Sequence, residues 1–71
     1  MNSLLLFENA YARLNLLDIK DEYRAYKAVM EYAFYDKMPD YASMNEKTWR
    51  TVHGIIRDIR DNRERYFSRY E

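Results

Sequence analysis

The side chains that could do acid–base or nucleophilic chemistry in this chain are few and scattered. His53 is the only histidine, and the sequence contains no cysteine. A histidine that acts as a general base needs a substrate pocket and an orienting partner within hydrogen-bond reach. Asp58 and Asp61 are interleaved with arginines, which is typical of solvated ion pairs on a helix rather than of an acid–base dyad. We therefore expect no enzymatic activity and no cofactor.

Metal and phosphate sites are also not expected. A zinc site built on thiolates is excluded because there is no cysteine. Loops that bind hard cations need clustered oxygen ligands and a turn glycine, whereas Asp36 and Asp40 stand alone on either side of Pro39. Gly54 is the only glycine, so a glycine-rich loop that holds a phosphate cannot form.

The last third of the chain combines arginines with aromatic residues, and this pattern has two interpretations. Arginine forks bind phosphates and aromatic rings stack on bases, and on this interpretation the nucleic-acid-binding candidates are Arg57, Arg60, Arg65 and Arg69. Alternatively, Arg57–Asp61, Asp61–Arg65 and Arg60–Glu64 form i,i+4 ion pairs on a solvated helix face. The 12 basic and 12 acidic side chains cancel, and affinity for polyanions requires an excess of positive charge. Nucleic acid is therefore the second choice.

Protein contact is the preferred interpretation, because eight tyrosines, three phenylalanines and one tryptophan exceed what so small a core can enclose. Tyrosine and arginine are enriched at the energetic centres of interfaces. Arg63 falls between Ile59 and Tyr66 on the apolar stripe, where either its stem packs on the core or its guanidinium anchors a partner. Tyr32 and Tyr35 lie on a second face that we expect to point away from the core. The protein-binding candidates are Tyr32, Tyr35, Arg63, Tyr66, Phe67 and Tyr70.

The elements that must position these residues are helices. One proline and one glycine in 71 residues, with apolar residues at helical spacing, predict a single all-α domain over residues 1–71. The pattern predicts three helices at roughly residues 4–16, 19–35 and 44–70, so that two shorter helices pack against a long C-terminal one. The residues expected to face inward in the first two helices are Phe7, Ala10, Tyr11, Leu14 and Leu17, then Ile19, Tyr23, Tyr26, Val29, Met30, Ala33 and Phe34. In the third helix they are Trp49, Val52, Ile56, Ile59, Tyr66 and Tyr70, with Thr48, Ile55 and Phe67 widening the stripe.

The predicted helix starts carry capping signals. Asp18 is a candidate N-cap residue for the second helix. Ser43 followed by Glu46 fits a reciprocal capping box for the third. The third helix is long enough to extend past its companions, so we expect exposed apolar surface that a protein partner or a second copy would cover.

Two blocks of the sequence carry a resemblance to a known family. Residues 29–40 (VMEYAFYDKMPD) and 56–66 (IRDIRDNRERY) resemble a small helical domain of unknown function that opens many replication-initiator-like proteins of phages and mobile elements. Phe7, Tyr11, Ala12 and Leu16 are similar to an N-terminal segment of that domain. Asp36 stands where the family has glycine. The resemblance implies a phage or mobile-element origin and a helical module, and it implies no particular activity.

These observations lead to one function prediction and one alternative. The longest apolar run, residues 4–7, is far shorter than the roughly 20 residues that span a membrane, so we expect no membrane contact and a location in the cytoplasm of a bacterial host. We expect a non-enzymatic interaction protein of a phage or mobile element that binds a replication component or a host defence complex. The alternative is a DNA- or RNA-binding accessory protein that uses the C-terminal helix.

Overall fold

Over residues 3–70 the chain folds into three α-helices. The computed structural model describes the backbone of residues 3–70 and the side chains of residues 6–64. The helices are α1 (Ser3–Leu14), α2 (Ile19–Tyr35) and α3 (Glu46–Tyr70), and a short 3₁₀ helix, Tyr41–Ser43, precedes α3. The described residues contain no strand. The prediction of an all-α domain with a long C-terminal helix is confirmed.

Helices α2 and α3 run in the same direction. At their starts, the Asn45 side-chain amide donates a hydrogen bond to the Asp21 carboxylate at 3.0 Å. Further along, Arg63 donates to the carbonyl of Ala33, near the end of α2, at 2.6 Å. The connection, residues 36–45, must therefore run back beside α2 from its end to its start. Along the helix these two points lie about 22 Å apart, at 1.5 Å per residue. The connection is held there by Arg24, which donates to the Ser43 carbonyl at 2.7 Å.

Helix α1 runs antiparallel to α3. Lys47, in the first turn of α3, donates to the Leu16 carbonyl just after α1, at 3.0 Å. Eleven residues further along α3, Asp58 forms an ion pair with Arg13 of α1 at 2.9 Å. The three helices thus enclose one core between them, with α1 pointing opposite to the parallel pair.

The core lies where all three helices meet. Its buried members are Leu14, Leu17, Ala25, Val29, Tyr32, Val52, Ile55 and Ile56. Thr48 is also buried, so the predicted stripe of α3 is correct from Thr48 to Ile56, and Ile59 is partly buried against it. Trp49 is 36% exposed, which makes its inward assignment wrong.

The inward faces predicted for α1 and α2 are partly correct. Leu14 and Leu17 are buried as expected. In α1, Leu6 is buried while Phe7 and Tyr11 are exposed. In α2, Val29 is buried as predicted. The buried face also includes Ala25, and Tyr32, which the sequence assigned to an outer face. Small residues on this face let α2 approach α3 closely, which the large side chains of the other face would prevent. Because both faces of α2 are apolar, helical periodicity alone cannot select the buried one.

At the start of α2 the predicted N-cap residue has the expected position but lacks the expected side-chain bond, and at its end Asp36 forms the cap. Asp18 occupies the N-cap position, where its backbone carbonyl accepts the Glu22 amide at 2.7 Å, but its side chain makes no capping bond. The helix ends at Asp36, which adopts a left-handed conformation with φ 56°. The Asp36 and Lys37 amides donate to the Tyr32 and Glu31 carbonyls at 2.9 and 3.4 Å. A left-handed Asp36 whose amide is bonded to the carbonyl four residues earlier is the αL type of helix end.

The cap of α3 is Asn45 rather than the predicted Ser43–Glu46 box. The Asn45 side-chain oxygen accepts the Thr48 amide at 2.8 Å, whereas the Ser43 hydroxyl donates to the Asp40 carbonyl at 2.8 Å. We expect Asn45→Ala to lower the free energy of unfolding by about 0.5–2 kcal/mol, because it exposes an unpaired amide in the first turn. Ser43→Ala is the control and should change it less. Urea unfolding followed by circular dichroism measures both, and a larger loss for Ser43→Ala would contradict this assignment.

Candidate protein-binding surface

The most unusual feature of the surface is a row of large apolar residues along the solvent side of α2. Ile19, Tyr23, Tyr26 and Phe34 are 86%, 73%, 52% and 72% exposed. Met30 lies in the same row and is half-buried. We call these five residues the outer face of α2. They point away from the buried face, so α2 is apolar on two sides, and only one side is used in the core.

A groove between α1 and α2 adjoins this outer face. It has a volume of about 340 Å³. Its lining is entirely free of charged side chains and comprises Leu6, Phe7, Ala10, Tyr11, Leu14, Tyr26, Val29, Met30, Ala33, Ile55 and Ile59. Phe7 and Tyr11 form one rim and are 55% and 66% exposed. Tyr26 and Met30 belong both to the groove and to the outer face of α2, so the two surfaces are continuous.

The combined apolar surface is large for a protein of this size. An aromatic side chain contributes about 150–250 Å² when fully exposed. With five aromatic residues and Ile19 each at least half exposed, the surface amounts to about 600–900 Å². The largest apolar patch of a typical monomer is about 300–600 Å², and each partner in a standard interface contributes about 800 Å². The exposed surface is therefore as large as one side of a specific interface.

Charged residues border the outer face of α2. Lys20 and Lys27 lie along one edge and Glu22 along the other, and none of them belongs to an ion pair among the side chains of residues 6–64.

Beyond the lysines lies a second, polar groove of about 490 Å³ between α2 and the returning connection. Two of its basic residues have intramolecular roles. Arg24 binds the Ser43 carbonyl, and Lys37 pairs with Glu31 at 2.9 Å; this hydrogen bond holds the pKa of Glu31 below its usual value.

The predicted protein-binding residues are distributed differently from expectation. Tyr32 is buried, so its assignment to an outer surface is wrong. Tyr35 is 79% exposed, but it lies off the outer face of α2, with its ring centroid 6.3 Å from that of Phe34. Tyr66, Phe67 and Tyr70 lie outside the side chains that the structure describes, as do Arg65 and Arg69.

Arg63 is engaged by its own chain. Its guanidinium lies 5.3 Å from the centroid of the Tyr32 ring. It also donates to the Asp36 carboxylate at 2.7 Å and to the Ala33 carbonyl at 2.6 Å. The interpretation in which the Arg63 stem packs on the core and its head reaches water is therefore wrong about the head, which binds its own chain and joins the end of α2 to α3.

We expect Arg63→Ala to lower the free energy of unfolding by about 1–2 kcal/mol, because a cation–π contact and two charge-assisted hydrogen bonds are lost together. Arg57→Ala is the matched control on the same helix, since Arg57 is exposed and has no ion pair among the described side chains. Its effect should stay within about 0.5 kcal/mol. Thermal unfolding at matched concentration measures both, and equal losses would contradict a special role for Arg63.

The nucleic-acid-binding candidates within the described side chains are Arg57 and Arg60, and both are exposed. The predicted pairs Arg57–Asp61 and Arg60–Glu64 do not form within 4.0 Å. The i,i+4 pair that α3 forms over residues 46–64 is Glu46–Arg50, at 2.6 Å. Hydrogen bonding to Tyr32 raises the pKa of Arg60.

Sequence reasoning missed the residues that form the exposed apolar surface, because it placed Phe7, Tyr11 and the whole outer face of α2 in the core. The available signal was the pair of apolar faces on α2. Ala25, Ala28 and Val29 share the face with the smaller side chains, which suits close packing of two helices. The larger aromatic residues of the opposite face require more space than a core of this size provides.

None of the family models, curated proteins or solved structures compared with this chain matches it.

Over the helices that the structure describes, none is both long enough and apolar enough to cross a membrane. The described residues also contain no cluster of three or more potential metal ligands. His53 is exposed and lines neither groove, with its ring centroid 6.0 Å from that of Tyr41.

Proposed function

We propose that this chain is a non-enzymatic interaction protein that binds a helix of a partner protein on the outer face of α2 and in the α1–α2 groove. The observation that carries the proposal is the continuous apolar surface that begins at the rim residues Phe7 and Tyr11 and continues across Tyr26 to Phe34. Such a surface is costly to leave in water, at about 25 cal/mol per Å².

The shape of the surface favours an amphipathic helix as the bound element. Helices bind in apolar grooves by inserting side chains spaced three and four residues apart. The groove offers an uncharged floor between α1 and α2, and its rims carry aromatic rings on one side and Tyr26 and Met30 on the other. Lys20 and Lys27 stand beside this surface without intramolecular ion pairs in residues 6–64. They would orient a partner that carries acidic residues along its edge.

The resemblance to the helical domain of phages and mobile elements directs the choice of target. On that basis the bound protein belongs to a replication component or to a host defence complex. The chain acts by occupying that protein's surface, and no chemical step is required.

The experiment is photo-crosslinking in a bacterial cytoplasm, with p-benzoylphenylalanine in place of Phe34. Position 34 lies on the outer face of α2, whereas Ala12 is exposed elsewhere on α1 and provides the control position. We expect adducts between position 34 and a protein other than this chain, identified by their mass, and few from position 12. The absence of adducts at position 34, or equal adducts at both positions, would contradict the proposal.

Nucleic-acid binding by α3 is the second candidate function. It is favoured by one observation, that Arg57 and Arg60 are exposed and lack ion pairs in the described part of α3. On this alternative, binding to a labelled oligonucleotide weakens steeply as salt rises. The affinity should also fall when Arg57, Arg60, Arg65 and Arg69 are replaced by alanine. No binding at low salt would eliminate it.

A further inference from the structure

Four residues of the outer face of α2 and the neighbouring, half-buried Ala33 have the spacing of a coiled-coil seam. Along the helix, Ile19, Tyr23, Tyr26, Met30 and Ala33 are separated by alternating steps of four and three residues. A helix that packs in a globular core usually has a wider stripe, whereas a two-stranded coiled coil has this alternation along a narrow seam. We propose that a second copy of the chain covers this seam, with the two α2 helices parallel and in register about a two-fold axis. This inference rests on the proposed function in that both use the same apolar surface, for which a second copy and another protein would compete.

The charges beside the seam favour the parallel arrangement. In a parallel pair, the residue just before one seam position faces the residue five places later on the other helix. Glu22 therefore faces Lys27 of the second copy, and the two-fold axis repeats the contact. Neither residue is in an ion pair within the described part of its own chain. An antiparallel pair would instead bring Lys20 and Lys27 of the two copies together, which is repulsive.

The position of α1 also fits a parallel pair. Phe7 and Tyr11 share the groove with Tyr26, Met30 and Ala33, so they lie at the level of the second half of α2. Rotation about a two-fold axis parallel to α2 does not move a residue along the helix direction. It therefore places α1 of the second copy beside the second half of this α2, at the opposite edge of the seam. Phe34 lies on that edge at 72% exposure. The rim of one copy would therefore cover Phe34 of the other.

The available area is sufficient for a stable pair. Each copy contributes about 600–900 Å² of exposed apolar surface, so the pair buries roughly the total of a standard protein–protein interface. The arrangement uses the same patch on both copies, as a two-fold interface requires.

Disulfide trapping tests the arrangement directly, because the chain has no cysteine of its own. Residues that face each other across a two-stranded seam lie within the Cα–Cα range of a disulfide, about 4.4–6.8 Å. In a parallel, in-register pair, Ile19→Cys and Met30→Cys each crosslink to the same position of the second copy. In an antiparallel pair neither does, because Ile19 then lies opposite Met30 of the second copy, and only a mixture of the Ile19→Cys and Met30→Cys chains crosslinks.

Mild oxidation of each variant followed by a non-reducing gel should give covalent dimers for Ile19→Cys and Met30→Cys and little for the control, Ala12→Cys. Crosslinking only in a mixture of the Ile19→Cys and Met30→Cys chains, or equal crosslinking of all variants including Ala12→Cys, would overturn the parallel pair.

Charge reversal provides an independent readout by sedimentation equilibrium. We expect Glu22→Lys and Lys27→Glu each to weaken self-association about tenfold, because each replaces two attractive contacts with repulsive ones. The double variant restores opposite charges and should recover most of the affinity, whereas a further loss would overturn the pairing.

A wild-type chain that stays at its monomer mass of 8.8 kDa at all concentrations would also overturn it. In that case adducts of position 34 with other proteins would leave the proposed function standing. The absence of any adduct would remove both proposals.

Discussion

We expect Ile56→Ala to lower the free energy of unfolding by about 2–5 kcal/mol and to leave much of the chain unfolded at 25 °C. Ile56 is 2% exposed and belongs to the core where α3 meets α1 and α2. The core of a chain of this length provides a net stability of only about 3–5 kcal/mol. The destabilisation from truncating one core side chain therefore removes most of it. Urea unfolding followed by far-ultraviolet circular dichroism measures the change.

The same substitution on α2 provides the matched control. Ile19 is 86% exposed, so we expect Ile19→Ala to change the free energy of unfolding by less than about 0.5 kcal/mol. Both variants are measured at low micromolar concentration to limit any effect of association. If Ile19→Ala were as destabilising as Ile56→Ala, the outer face of α2 would belong to the core and the surface described above would not exist.

The second large effect concerns association. We expect Tyr26→Glu to weaken protein binding by at least about 30-fold, which corresponds to about 2 kcal/mol at an interface centre. Tyr26 is 52% exposed and belongs to both the groove and the outer face of α2. A carboxylate there would be removed from water on binding without a partner of opposite charge in the groove lining. The dissociation constant of the captured partner, or of the second copy, measures the loss.

Tyr35→Glu is the control for this prediction. It introduces the same charge on the same helix, at a tyrosine that is 79% exposed but lies off the outer face of α2. We expect it to change binding by less than about threefold, in the range of peripheral positions. A greater loss from Tyr35→Glu than from Tyr26→Glu would move the binding surface to the side of α2 where the sequence first suggested it.

The class of fold and the approximate positions of the helices follow from the sequence. Scarcity of glycine and proline, negative charge after Asp18 and the single Pro39 define three helical segments. The stripe of α3 from Thr48 to Ile56 was also predictable, because only one face of that segment is apolar. When only one face of a helix is apolar, the hydrophobic periodicity identifies the face that is buried.

The orientation of α2 was not predictable for the opposite reason. Its two apolar faces compete, and the outcome depends on how closely α3 approaches Ala25, which is a tertiary property. The cap at Asn45 was missed because Ser43 and Glu46 match a capping pattern whose register only the returning connection determines. The partners of Arg63 lie 27 and 30 residues away, and the parallel course of α2 and α3 brings them together. Sequence spacing alone contains no information about that course.

The most direct test of the central claim is a photo-crosslinker scan along α2. The crosslinking amino acid replaces one residue at a time over residues 19–35, and protein adducts are quantified in a bacterial cytoplasm. If the outer face of α2 binds protein, the adduct yield will rise and fall with the helical repeat, with maxima at Ile19, Tyr23, Tyr26 and Phe34 and minima at Arg24 and Tyr35. A uniform yield along the helix, or maxima at Arg24 and Tyr35, would contradict the claim.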